Sequence, residues 1–307
     1  MSTSNPVSPV NPYDQFVQSS QKITEKPAPI TKVNKIYYFS GTGNSLLVAR
    51  KLASRLSKPW ADKDPKSGAD MVVLETQLVP IVSALHVPPS DEKISCLGLV
   101  LPVYMSNPPH IVLDFIAKMP KADYVFVVLT CGMMVGDALY KVQSAIDKTK
   151  NRMNAGYVIP LISNFIVLPK TKSDKKVDAS FSKIDDKINF ICKNVETGFF
   201  HMDKQTTPFL TKPINWAAFD TMYEKVPELD KKFTVNDSCT SCGTCVNVCP
   251  VDNIDLKDGK PEWNHRCEMC FACINWCPES AINWTKFTEK KKRYQCRGMT
   301  PTDLILK

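Results

Sequence analysis

The run "CTSCGTCVNVCP" at positions 239–250 returns 28 residues later as "CEMCFACINWCP" at 267–278. Both read C-x2-C-x2-C-x3-C-P, and Ile254 recurs as Ile282 at the same offset, so the segment is an internal duplication. No other feature confines the fold so tightly, because eight of the twelve cysteines fall within 39 residues. Disulfides would suit that density in a secreted chain. The first 34 residues, however, hold no apolar signal core and no Arg-rich amphipathic pattern. Prolines among Ser, Asn and Gln give them the composition of a disordered leader. Metal ligation by thiolates in a reducing compartment is therefore the expectation. That places the protein in the cytoplasm, with a short organellar address in the leader left open.

Three thiolates two residues apart can wrap a loop around three iron corners of one cubane, with the loop's N–H groups aimed at sulfide. A short helical turn carries the fourth cysteine away, and Pro250 or Pro278 ends that turn without needing a donor. Structural zinc instead pairs two CxxC knuckles across a long spacer and takes four ligands, not eight. The spacing matches that of two-cluster bacterial ferredoxins, in which the fourth cysteine crosses to the other cluster. It assigns Cys239, Cys242, Cys245 and Cys277 to one [4Fe–4S] cluster, and Cys267, Cys270, Cys273 and Cys249 to a second. Phe271, Trp276 and Trp284 lie near these ligands and are expected to limit water there. His86, His110, His201 and His265 are scattered and receive no metal role, and Cys96, Cys192 and Cys296 read as ordinary thiols.

From Lys35 onward, short β-type runs alternate with helical patterns. The expected strands are "KIYYFS" (35–40), "MVVLE" (71–75), "CLGLVLPVY" (96–104), "YVFVVL" (124–129) and "GYVIPLI" (156–162). The third is apolar almost throughout, as a central parallel strand buried on both faces should be. Leu46, Leu47, Ala49, Leu52, Ala53 and Leu56 give the first helix one apolar face. Asn107 and Pro108 are placed as N-cap and first residue of the helix carrying Ile111, Val112, Phe115 and Ile116. Ile184, Ile188, Ile191 and Val195 mark a closing helix. Five β–α units predict a flavodoxin-like doubly wound α/β fold with a five-stranded parallel sheet, whose ligand sits at the strands' carboxyl ends. A small α+β ferredoxin-like domain with two clusters follows. The expected limits are 1–34 for the leader, 35–205 for the first domain, 206–234 for a linker, 235–285 for the cysteine domain and 286–307 for a basic tail. No run approaches the roughly 18 to 20 apolar residues of a membrane span, so the chain reads as soluble.

Between the first strand and helix lies "SGTGNS", residues 40–45. A P-loop would place a lysine directly after its last glycine, and none follows Gly43 until Lys51. A dinucleotide fingerprint would have a third glycine where Leu46 stands. What remains is one terminal phosphate held by the hydroxyls of Ser40, Thr42 and Ser45, the amide of Asn44, and N–H groups exposed by Gly41 and Gly43 at a helix's positive end. FMN carries such a phosphate. Two later loops lie where strand ends would meet its ring. The first offers Pro102, Val103, Tyr104, Met105 and Asn107, with Tyr104 as a stacking face and Asn107 as a polar contact. The second offers Thr130, Cys131 and Gly132, the glycine admitting the flavin's pyrimidine edge. Cys131 has no histidine close in sequence and reads as a small strand-end residue.

These loops, "SNF" at 163–165, both cysteine runs and the closing "RYQCRGMTPTDLI" resemble the flavodoxin–ferredoxin fusion proteins common in anaerobes. The resemblance covers residues 35–307 and implies FMN and two [4Fe–4S] clusters, without one agreed substrate. The ending departs from the family, since Cys296, Arg297 and Gly298 stand where a histidine-containing stretch is common. The expected function is electron transfer between an external low-potential donor or acceptor and FMN by way of the clusters, with a ferredoxin- or flavoprotein-type partner. An FMN-dependent reductase of a small-molecule acceptor is the alternative, with residues 164–180 covering the flavin; a redox-responsive binding protein is a further one. The loops show no clear acid–base pair, so whether the protein is an enzyme stays open. A formal charge of +8 does not point to nucleic acid, because it is divided. Residues 235–285 hold seven acidic and three basic side chains, and 286–307 seven basic and two acidic. That division favours docking of the tail to its own module or to a protein partner, with "KKKR" (290–293) as either a solvated face or a dock for an acidic partner.

Overall fold

The computed structural model describes residues 35–57, 76–87, 94–132, 135–167, 180–204 and 221–305. Strand β1 (Lys35–Tyr38) leads through the glycine loop into α1 (Asn44–Leu56). Then come β2 (Gln77–Pro80), α2 (Ile81–Leu85), β3 (Ile94–Pro102), α3 (His110–Ile116), β4 (Ala122–Cys131), α4 (Ala138–Asp147), β5 (Met153–Pro160), α5 (Ile184–Glu196) and β6 (His201–Met202). All six strands are parallel, in the order β2-β1-β3-β4-β5-β6. That is the flavodoxin-like winding order, extended by one edge strand. The sixth strand escapes sequence reading because two residues carry no period.

Alternation along the strands divides the core into two layers. Ile36, Tyr38, Val100 and Val128 face Leu46 and Leu52 of α1 and Ile188 and Ile191 of α5. Tyr37, Leu99, Val127 and Leu129 face Ile111 and Phe115 of α3 and Leu139 and Val142 of α4. Helices therefore cover both faces, and β3 is buried except at Ser95. The expected strand 71–75 lies outside the described residues, as do the leader, residues 168–179 of the proposed flavin cover and 206–220 of the linker. Asn107 is not the N-cap of α3, which begins at His110 after Pro109. It sits instead in a tight turn, its backbone N–H and C=O exchanging bonds with Tyr104, each 2.9 Å long.

The cysteine module comprises β7 (Phe233–Val235), α6 (Thr244–Asn247), β8 (Ile254–Lys257), β9 (Lys260–Trp263), α7 (Ala272–Asn275) and β10 (Ile282–Trp284). Strand β7 pairs antiparallel with β10, and β8 with β9. The duplication is written in the backbone: left-handed φ values at Ser241, Gly243 and Asp252 return at Met269, Phe271 and Ser280. The turn before β7 packs on this module. Its buried Asp230 accepts from Asn253 Nδ2 at 2.8 Å and His265 N at 3.0 Å, and Trp284 Nε1 donates to Leu229 O at 3.1 Å. The described part of the basic tail returns to α1, where Asp303 pairs with Arg50 at 2.6 Å. Among the described residues no helix is long and apolar enough to cross a membrane.

Candidate functional site

A cavity of about 380 Å³ opens at the carboxyl ends of β1, β3 and β4, within the size range of small-molecule sites. Ser40, Gly41, Thr42, Asn44 and Ser45 line it from the glycine loop. Pro102, Val103, Tyr104 and Met105 line it after β3, and Thr130, Cys131 and Gly132 at the end of β4. Of the residues expected here, Gly43 and Asn107 are not on its wall. The Asn107 amide donates to Met105 O at 2.9 Å and its oxygen accepts from Lys141 Nζ at 2.5 Å, so it braces the loop from behind.

Within the glycine loop, the Asn44 side chain bonds to protein at both of its polar atoms. Its Nδ2 donates to Ile162 O at 2.9 Å and its Oδ1 accepts from the Tyr294 hydroxyl at 2.6 Å. Ser45 Oγ pairs with Thr130 Oγ1 at 2.9 Å. The oxygens of Ser40 and Thr42 accept from Gly43 N and Asn164 Nδ2, which leaves their O–H groups to donate. The first amides of α1, a 13-residue helix, have no partner within it. A cradle of hydroxyls and helix amides without a cation fits a phosphate ester. Burial pushes the Cys131 thiol up to about 11, which suits wall packing and not nucleophilic attack.

The opposite wall comes from distant segments, Phe165, Met222, Leu229, Met269, Phe271 and Trp284, of which Phe165 falls in the stretch 164–180 expected to cover the flavin and the others carry no local signal for this site. Among the described residues Lys232 is the one cation lining the cavity, 5.3 Å from the centre of the Trp284 ring, and no Asp, Glu or His lines it.

The eight clustered cysteines ring two smaller cavities. Cys239, Cys242, Cys245 and Cys277 surround one, near the surface. Cys249, Cys267, Cys270 and Cys273 surround the other. Each set combines three thiols of one run with the last thiol of the other. Among the described residues, no three His, Cys, Asp or Glu side chains close on a point as around a single bare ion. Burial raises Cys245 to about 11 and Cys270 to about 12, and holds Cys267 and Cys273 well above the usual thiol range. Thiolates at such sites need compensating positive charge, which is what iron would supply. The exposed Cys242 differs: the hydroxyl and amide of Thr244 lower its pKa.

The inner set touches the glycine loop. A Cβ on Gly41 would stand 2.7 Å from Cys270 O, so only glycine allows the approach. Trp276 Nε1 donates to Gly41 O at 3.2 Å, and Asn164 Nδ2 reaches both Cys270 O and Thr42 Oγ1 at 3.2 Å. Phe271 lines both the large cavity and the inner cysteine cavity. Its neighbour Glu268, buried at 6% exposure, accepts from His110 N at 2.9 Å and Ile111 N at 2.8 Å. The first turn of α3 is thus capped from the other module, by the group that takes the place expected of Asn107.

Comparison with protein families matches residues 238–282 to the 4Fe-4S dicluster domain. No curated protein matches the chain. Among solved structures, two-electron reduced Megasphaera elsdenii flavodoxin aligns at 15% identity and a TM-score of 0.28, covering 41% of this chain and 85% of that one. The metal-soaked Flv1 flavodiiron core from Synechocystis aligns at 13% identity and a TM-score of 0.25, covering 58% of this chain and 41% of that one. The fold assignment rests on the strand order itself.

Proposed function

We propose that this chain, a flavodoxin-like domain fused to a 4Fe-4S dicluster domain, is an iron–sulfur flavoprotein that transfers electrons between an external redox protein and FMN. When bound, two [4Fe–4S] clusters supply one-electron chemistry and FMN supplies one- or two-electron chemistry. One observation carries the reading: Phe271 lines both the inner thiol cavity and the cavity at the strand ends. The order of sites runs from the surface at Cys242 through the buried set around Cys270 to the glycine loop.

The residues have distinct parts in this reading. Cys239, Cys242, Cys245 and Cys277 hold the outer cluster, where a ferredoxin- or flavoprotein-type partner can approach. Cys249, Cys267, Cys270 and Cys273 hold the inner one. Ser40, Thr42 and the first amides of α1 hold the phosphate, while Tyr104 and the loops after β3 and β4 hold the ring. Phe271 and Trp276, each 2% exposed, exclude water between the inner set and the glycine loop. Clusters on eight thiols belong in a reducing compartment, in keeping with the cytoplasm. The lack of an acid or a histidine on the described cavity wall favours a carrier over a reductase of small acceptors, which would draw protons from such groups.

The test is anaerobic stopped-flow mixing of the loaded protein with a reduced ferredoxin. Flavin bleaching should slow at least ten-fold in Cys242→Ala. Bleaching at the unchanged rate in that variant would end the relay reading.

A further inference from the structure

The segment after β10 runs back from the cysteine module to α1. It starts on α7, where Tyr294 N donates to Asn275 Oδ1 and Gln295 Nε2 to Asn275 O, both at 2.8 Å. Asn275 is fully buried and lies between Cys273 and Cys277 in the chain. The Tyr294 side chain points the other way, its hydroxyl donating to Asn44 Oδ1 at 2.6 Å. Asn44 is the first residue of α1. Two residues on, Cys296 N donates to Thr42 O at 3.1 Å. A Cβ on Gly43 would meet Cys296 Cβ at 2.8 Å and Met299 Cγ at 3.0 Å, so the tail lies directly on the loop's outer face. Arg50 Nη2 then holds Asp303 at 2.6 Å, and Thr300 and Asp303 close a capping box.

We propose that residues 294–303 are a latch for the flavin phosphate, with Tyr294 as a positioning residue that fixes Asn44 and the entrance of α1 from a base on α7. The inference rests on the FMN reading of the cavity. A loop that holds a dianion without a cation depends on the aim of its N–H and O–H groups, and hydrogen bonds weaken steeply when misaligned. The loop itself, residues 40–45, has no lysine or arginine to make up for lost alignment. Fixing the donors beforehand is then what converts into affinity. The inner face of the loop belongs to the ligand, so the brace comes from outside, and the tail supplies it at three successive residues, Thr42, Gly43 and Asn44. The same segment stands on the inner cysteine helix, which ties the phosphate loop to the cluster module.

The experiment uses the full chain, loaded with clusters under anaerobic conditions and stripped of flavin, then titrated with FMN and separately with riboflavin by flavin fluorescence. Riboflavin lacks the phosphate, so it reports the ring site alone. Tyr294→Phe should weaken FMN roughly three- to ten-fold, the loss of one hydrogen bond, while riboflavin affinity, iron and sulfide stay unchanged. Asp303→Asn should give a smaller loss, again for FMN only. Unchanged FMN affinity in both variants, or equal losses for FMN and riboflavin, overturns the latch. Loss of iron in Tyr294→Phe also overturns it, since the tyrosine would then serve α7 alone. A wild-type chain that binds neither flavin removes the FMN reading and the latch together, and that failure shows before any substitution is made.

Discussion

Between its first three thiols the first cysteine run carries Thr240, Ser241, Gly243 and Thr244; the second carries Glu268, Met269, Phe271 and Ala272. The spacing is shared, and so are the left-handed turns, yet Cys242 is exposed while its counterpart Cys270 is buried against Gly41. Spacing makes the loop; the residues inside it decide where the loop goes. Glu268 caps α3, Met269 and Phe271 wall the large cavity, and none of the matching residues in the first run makes such contacts. The second run accepts a cost for its position. Phe271 holds φ 56° where the first run has Gly243 at 74°, and a left-handed non-glycine residue costs about 1–2 kcal/mol. Burial of its ring at 2% exposure, edge-on to Phe165, Phe233 and Trp284, offsets that.

The largest difference between the runs should appear when a thiol is removed from each. Cys270→Ala is expected to lose inner-site iron and most of the flavin, because the loop it belongs to abuts the glycine loop. Cys242→Ala should lose about half the iron and keep the flavin. Iron and flavin analysis of both proteins decides; equal flavin retention would mean the two modules do not communicate.

Next in size are the paired left-handed positions, compared by denaturant midpoint. Phe271→Gly relieves the strained φ but empties an aromatic site, for a net loss of about 2–4 kcal/mol. Gly243→Ala meets open space and should cost only the conformational penalty, about 1–2 kcal/mol. A smaller contrast lies at Glu268 and its counterpart, the exposed Thr240. Glu268→Gln keeps one acceptor oxygen but sets an NH2 group against the other backbone N–H, and should destabilise by about 1–3 kcal/mol, whereas Thr240→Ala should stay within about 0.5 kcal/mol.

Acid gives the smallest effect. The Arg50 guanidinium and the Thr300 amide hold the Asp303 carboxyl down at about 2. Its folded pKa is depressed, so the contribution is present above the ordinary carboxylate range and fades as pH falls from about 4 toward about 2. Hydrogen exchange at residues 300–303 should rise in that window, and Asp303→Asn should abolish the pH dependence.

The sheet was legible because period-two and apolar runs such as 96–104 and 124–129 are physical requirements of buried parallel strands. The thiol sets were legible because a duplicated spacing is a local signal. What joins the modules was not. Glu268 reads as an ordinary surface carboxylate until α3 is placed 2.8 Å away, and Tyr294 reads as part of a basic tail until Asn44 stands beneath it. Such contacts depend on residues more than 150 positions apart, and no local pattern records them.

Cofactor content is the most direct measurement. Protein purified without oxygen should carry about eight iron atoms, about eight sulfides and one FMN per chain, the content of two [4Fe–4S] clusters and one flavin. Zinc in place of iron, or a chain that releases no flavin on denaturation, would contradict it.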